Sequence, residues 1–336
     1  MGLGNAKTQL GILITTTIIM KRISFILLFT AFLITGCEKS FEKFSPDTNT
    51  AGTDTIWATS TGGNYIEINR LHEQMGRPAL IDSFLLQANS VVEFPDNIRI
   101  EIPANSFLLN GAVTDGKAMI EFTLLKTRGE FIRFRKPTTS NGYLLESGGC
   151  YNLQVFKNGQ QLSLNPGKLI KVSYKDPAPN PLMTGFIATA SLTGSGGVNF
   201  NWVKDDSLFV RAVQTGYEIY QTKLNWINCD YFKDTAELKT RIALILPVQY
   251  TNTNTSAFIA YRTIKGVMQM DADAVNRIWR KDKVPVNRQV IYITISKIGD
   301  NYYMGTKESS TAVNQNVEIK PEKRSLQDIK SFLDGL

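Results

Sequence analysis

Strict alternation is the feature that most limits what this chain can become. Residues 98–102 read Ile-Arg-Ile-Glu-Ile, and Val91-Val92-Glu93-Phe94 precede them in the same β-branched style. A period of two puts Ile98, Ile100 and Ile102 on one face and Arg99 and Glu101 on the other, the pattern of a half-buried strand. From about residue 88 such runs recur, at 107–109, 117–125, 142–145, 151–156 and 169–174. Pro103, the Asn110-Gly111 pair and Lys157-Asn158-Gly159 punctuate them. Proline cannot donate to a ladder, and Asn-Gly is a strong hairpin signal, here expected to join 107–109 to 117–125. Short strands at this spacing predict a β-sandwich over 88–176.

Residues 177–181, Pro-Ala-Pro-Asn-Pro, form a stiff extended break. Beyond it, 186–192, 198–203, 208–213 and 217–226 read as connecting strands, with Thr-Gly-Ser-Gly-Gly at 193–197 as a flexible turn. A second β domain is expected over 227–320. It holds a strand at 239–246 ended by Pro247, a pair within 257–270 bent at Lys265-Gly266, a hairpin of 290–297 with 302–307, and a last strand at 316–320. Asp271-Ala272-Asp273 suggests calcium, but Val275 and the missing glycine defeat a cation loop. A helix N-cap with acids in the first turn explains both aspartates instead. Ser325 and Asp328 are spaced for reciprocal capping of a short C-terminal helix within 321–336. The expected fold class is therefore mainly all-β, two sandwich-like domains with a terminal helix.

Ahead of these domains, residues 20–37 run MKRISFILLFTAFLITGC. Lys21 and Arg22, an apolar stretch and small residues before a cysteine describe a secretory signal, too short for a membrane span. Ile34-Thr35-Gly36-Cys37 resembles the bacterial lipobox, which implies that Cys37 carries lipid and begins the mature protein. Residues 1–36 are then an upstream extension plus signal peptide, with Met20 as the expected start. Residues 37–60 are polar and charged and are expected to form a flexible tether. Glu38, Lys39, Glu42 and Lys43 loosely resemble the export tags of surface lipoproteins in the Bacteroidota. Within 61–87, Ile66, Ile68, Leu71 and Met75 predict a strand passing into a short amphipathic helix, ended by Gly76-Arg77-Pro78.

Three stretches carry a family resemblance. IRIEIPANSF, followed by Gly111 and KAMIEFTLL, is similar to a strand–Ile-Pro-Ala-x-x-Phe–Gly–strand signature of Bacteroidota lipoproteins. Residues 144–160, LLESGGCYNLQVFKNGQ, and 224–232, LNWINCDYF, resemble two further motifs of that group. Asn225 stands where the group has glycine, and Tyr231 where it has arginine. The resemblance spans about residues 88–320 and implies a first domain like the ZU-type sandwich of ankyrins and netrin receptors. It implies no chemistry.

Charge and motifs bound the function. Lys7, Lys21 and Arg22 are the only charges before Cys37, so 34 of the 37 basic groups stand against 30 acids in the mature part. That scattered excess does not make the clustered basic face of a nucleic-acid binder. Cys150 and Cys229 could pair in a compartment that permits disulfides, or serve as small core residues. The single histidine, His72, reads as an exposed helical residue without a role, and no CxxC or HExxH supplies metal ligands. GxSxG, Walker and GxGxxG patterns are absent. No catalytic, cofactor or metal residues are therefore expected. Trp57, in the polar tether, and Trp202, beside a turn, are the candidates for exposed, ligand-facing aromatics, whereas Trp226 reads as core.

These features together suggest an outer-membrane lipoprotein on the periplasmic or cell-surface side. It would be held to the membrane through lipid on Cys37 and bind an envelope protein or a glycan without catalysing a reaction. A glycan-binding accessory lipoprotein of a polysaccharide-uptake system is the alternative. A carboxylate-dependent hydrolase is a further one, and requires two acids about 5–10 Å apart in a cleft.

Overall fold

The computed structural model describes residues 56–58, 66–192, 198–233 and 236–336. Cys37, the signal segment, most of the tether and the 193–197 turn lie outside the described residues. Helix α1 (Ile66–Met75) is a full helix where a strand was expected to lead in. Its Ile68, Leu71 and Met75 recur at helical spacing and are buried. An unexpected strand follows it, β1 (Leu80–Leu85).

Next come β2 (Ser90–Phe94), β3 (Ile98–Ile102), the short β4 (Phe107–Leu109) and β5 (Ala112–Val113), and β6 (Lys117–Leu125). The Asn110-Gly111 turn joins β4 to β5, so β6 does not belong to that hairpin as expected; it pairs with β1 instead. Helix α2 (Arg128–Arg133) leads to β7 (Thr139–Ser140) and the long β8 (Tyr143–Lys157). The small β9 (Gln160–Gln161) and β10 (Ser163–Leu164) precede β11 (Ile170–Lys175). After the proline break come β12 (Thr184–Leu192), β13 (Val198–Lys204), β14 (Phe209–Val213), β15 (Gly216–Gln221) and β16 (Asn225–Phe232).

The C-terminal part begins with β17 (Lys239–Ile245), β18 (Thr255–Tyr261), β19 (Val267–Gln269) and β20 (Asp271–Asp273). It continues with β21 (Ile278–Pro285), β22 (Gln289–Ile298), β23 (Asn301–Ser310), β24 (Gln315–Glu318) and β25 (Glu322–Arg324). Helix α3 (Leu326–Asp334) closes it, with the expected capping box of Ser325 and Asp328. Asp271 and Asp273 cap no helix: β20 and β21 form a hairpin, and Asp273 Oδ1 accepts the Asn276 amide in its turn at 3.1 Å.

Four main sheets result. The first runs β1-β6-β8-β16-β12-β13 and the second β14-β15-β11-β3-β2. The third runs β19-β18-β22-β23-β25 and the fourth β20-β21-β17-β24. Three apolar cores lie between them. The first and second sheets enclose Ile100, Phe122, Tyr151, Val172 and Ile219. The opposite face of the first sheet meets α1, α2, α3 and the third sheet around Phe131, Trp202, Phe258 and Ile293. The third and fourth enclose Trp57, Ile242, Tyr292 and Trp279.

This layering revises the expected domain boundaries. Residues 184–232 are integral strands of the first two sheets, not connectors, and a boundary at 227 falls inside β16. The shared middle core makes Ala51–Leu336 one compact unit. Both faces of the third sheet are covered, so β18 is buried at every position and β22 at almost every one. Their near-continuous apolar and β-branched runs follow from burial on two sides.

Candidate functional site

The motif stretches at 144–160 and 224–232 are brought side by side. Strands β8 and β16 pair antiparallel, with Asn228 opposite Cys150 and Cys229 opposite Gly149. The register shifts between Cys229 and Asp230, where Ser147 becomes the partner and Gly148 is the extra residue of a bulge. A side chain at Gly148 would meet the Tyr217 ring at 2.9 Å, so the close approach of the second sheet dictates that glycine. Asn225 has φ 74, a left-handed conformation in which asparagine substitutes for glycine. Tyr231 donates to Glu146 Oε2 at 2.6 Å, and Lys233 adds an ion pair to the same carboxylate at 3.1 Å.

Beneath the bulge lies a sealed polar chain. The Gly149 amide donates to Ser147 Oγ at 3.1 Å, Ser147 Oγ donates to Asn228 Oδ1 at 3.2 Å, and Asn228 Nδ2 donates to Asp230 Oδ2 at 2.5 Å. Asp230 Oδ1 is buried without a hydrogen-bond partner among the described residues. Burial pushes the Asp230 carboxyl well above the usual carboxylate range, opposed by the hydrogen bond from Asn228. Ser147 has no histidine beside it, and its bonds go to the chain just described. The arrangement fixes the bulge rather than activating a nucleophile.

Cys150 and Cys229 are both buried and remain free thiols. Of the two readings open for these cysteines, small core residues or a disulfide, the disulfide fails for a geometric reason. Residues directly opposite share a face of a sheet, and Cys229 lies one position away from the partner of Cys150. Cys150 therefore enters the middle core and Cys229 the core between the first two sheets. Burial pushes both thiols well above their ordinary range, which makes them poor nucleophiles.

Neither candidate ligand-facing tryptophan is exposed. Trp202 is 0% exposed and donates its indole N–H to the Pro137 carbonyl at 2.9 Å. Trp57 is 7% exposed and packs 4.5 Å from Trp279, centroid to centroid. The Asn252 side chain pins the same segment, accepting from the Ala58 amide at 2.9 Å and donating to the Ala58 carbonyl at 2.8 Å. Trp226, expected in the core, is only partly buried. Together with Phe200 it holds Lys136 Nζ, which sits 4.2 Å from the Phe200 centroid and 4.9 Å from that of Trp226. Burial pulls the Lys136 ammonium down to about 8, while the ring faces favour its charged form.

His72 is not the surface residue expected. It is 8% exposed, with Nδ1 3.0 Å from the Arg133 carbonyl and Nε2 2.9 Å from Ser256 Oγ. A carbonyl only accepts, so Nδ1 carries the proton and Nε2 accepts from the serine, as in a neutral ring. Burial pulls the imidazole down to about 3, helped by the charge of Arg135. Lys136 and Asp230 escaped the sequence reading because neither belongs to a catalytic motif. No three His, Cys, Asp or Glu side chains are grouped to hold a metal among the described residues. No protein-family model matches the chain, and no curated protein matches it either.

Proposed function

We propose that this is a lipid-anchored cell-envelope protein whose β-rich body acts as a binding or scaffolding module. The observation that carries the reading is the order of features in residues 20–37: basic pair, apolar stretch, small residues, then Cys37. The polar segment behind Cys37 suits a spacer between a membrane and a folded body. A lipid contributes about 0.8 kcal/mol per buried CH₂, so several chains on one cysteine anchor firmly. The resemblance of the 98–125, 144–160 and 224–232 motifs to Bacteroidota envelope lipoproteins points the same way. Trp57 and Trp202, which prompted a glycan platform, lie in cores and lend that alternative no support. The test is fractionation of cells expressing the native chain and Cys37→Ser. The native chain is expected in the membrane fraction with a mass that includes lipid, and the variant in the soluble fraction. Membrane retention of the variant overturns the proposal.

A further inference from the structure

Three arginines converge on one cavity of about 700 Å³ between the end of α1 and the segment after α2. Arg77, Arg133 and Arg135 line it with Asn69, His72 and Glu73. Two of the three have counter-charges. Arg77 pairs with Glu130 at 3.0 Å, and Arg133 with Asp334 at 2.6 Å. Arg133 Nε is nevertheless buried without a hydrogen-bond partner among the described residues. Arg135 has no ion pair among them; its guanidinium makes one bond, Nη1 to Asn69 Oδ1 at 3.1 Å. His72 is neutral, so Glu73 is the only negative group in the lining.

The backbone makes Arg135 more conspicuous. The Lys136 amide bonds the Phe131 carbonyl at 2.8 Å and the Arg135 amide bonds Ile132 at 3.1 Å, which together form a Schellman closure of α2. Arg135 occupies its left-handed position at φ 52, where glycine is favoured. An arginine is therefore held half-buried in a conformation it disfavours, with no ion pair among the described residues. A half-buried charge gains from a counter-ion, and a planar fork of donors matches an oxyanion.

We propose that this cavity is an oxyanion-binding site, in which Arg135 takes a phosphate or carboxylate group of a ligand. The site is independent of the anchoring on Cys37, so either can fail without the other.

The chain's single histidine lines the cavity and provides the readout. Full-length protein in detergent, labelled with carbon-13 at histidine Cε1, is titrated with inorganic phosphate and separately with acetate at constant ionic strength. A saturable shift of the His72 signal is expected with at least one of the two, and which one responds identifies the headgroup. Arg135→Gly is expected to weaken that binding by about tenfold or more. Because glycine suits the backbone there, its melting temperature is expected to be no lower than that of the native chain. Arg211→Gln, on the outer face of the second sheet, is expected to bind as the native chain does. Absence of a saturable shift with both anions, or undiminished affinity in Arg135→Gly, overturns the proposal. A marked fall in the melting temperature of Arg135→Gly would also overturn it, because that reveals a structural role for the arginine.

Discussion

His72 and Asp230 are both titratable, both buried and both pushed by burial toward their uncharged forms, yet they act on stability in opposite directions with pH. The folded state holds His72 at about 3, against about 6.5 in an unfolded chain. Its contribution is fully present above about 6.5 and is lost as pH falls toward 3, because the unfolded state binds the proton first. The Cε1 signal of this one histidine should therefore show no titration between pH 5 and 8. A midpoint near 6.5 would mean that the bonds to Arg133 and Ser256 are not made. Asp230 is raised, so its contribution is present below about 4 and is eroded as pH climbs toward its folded value. Asp230→Asn removes that titration and keeps a group able to accept from Asn228. Its stability relative to the native chain should rise with pH by up to about 1.4 kcal/mol per unit above pH 4. Parallel urea-denaturation profiles at pH 5 and 8 would refute this.

At the scale of elements, α2 and α3 meet through a contact that only glycine allows. A Cβ on Gly129 would stand 1.8 Å from the Leu333 carbonyl oxygen, a backbone atom with no freedom to swing aside. Gly129→Ala is expected to destabilise the protein by on the order of 3 kcal/mol, read as a lowered urea midpoint. An unchanged midpoint would show that the helices do not touch. Strands such as β3 were legible because one face is wet and the period of two survives. The reading failed at Asp271 and Asp273 for a different reason. An aspartate accepting an amide a few residues on looks alike at a helix start and in a hairpin turn, and only the β20–β21 pairing separates them. At the candidate site, the β8 and β16 motifs could be recognised, but not their adjacency. Trp202 looked exposed because it precedes Asp205-Asp206. What buries it is the layer of helices and third sheet packed over β13, contributed by residues up to 131 positions away.

For the whole molecule, the middle core decides how the protein unfolds. It draws Leu145, Phe186 and Trp202 from the first sheet, Phe258 and Ile293 from the third, and Phe131 and Leu333 from the helices. Neither half covers its own apolar face: the first sheet without the third would expose that layer, and the third without the first likewise. Two domains joined by a linker would melt as two transitions, whereas halves sharing one core should melt as one. Calorimetry is expected to give a single peak whose van't Hoff and calorimetric enthalpies agree. Ile293→Ala, in the middle of the shared layer, is expected to cost about 2–5 kcal/mol and to move that whole peak downward. Two peaks, or a shift confined to part of the transition, would return the chain to the two independent sandwiches its sequence suggests. A single peak would mean that contact made anywhere on the body, including at the Arg135 cavity beside α1, is felt by all four sheets through one folding equilibrium.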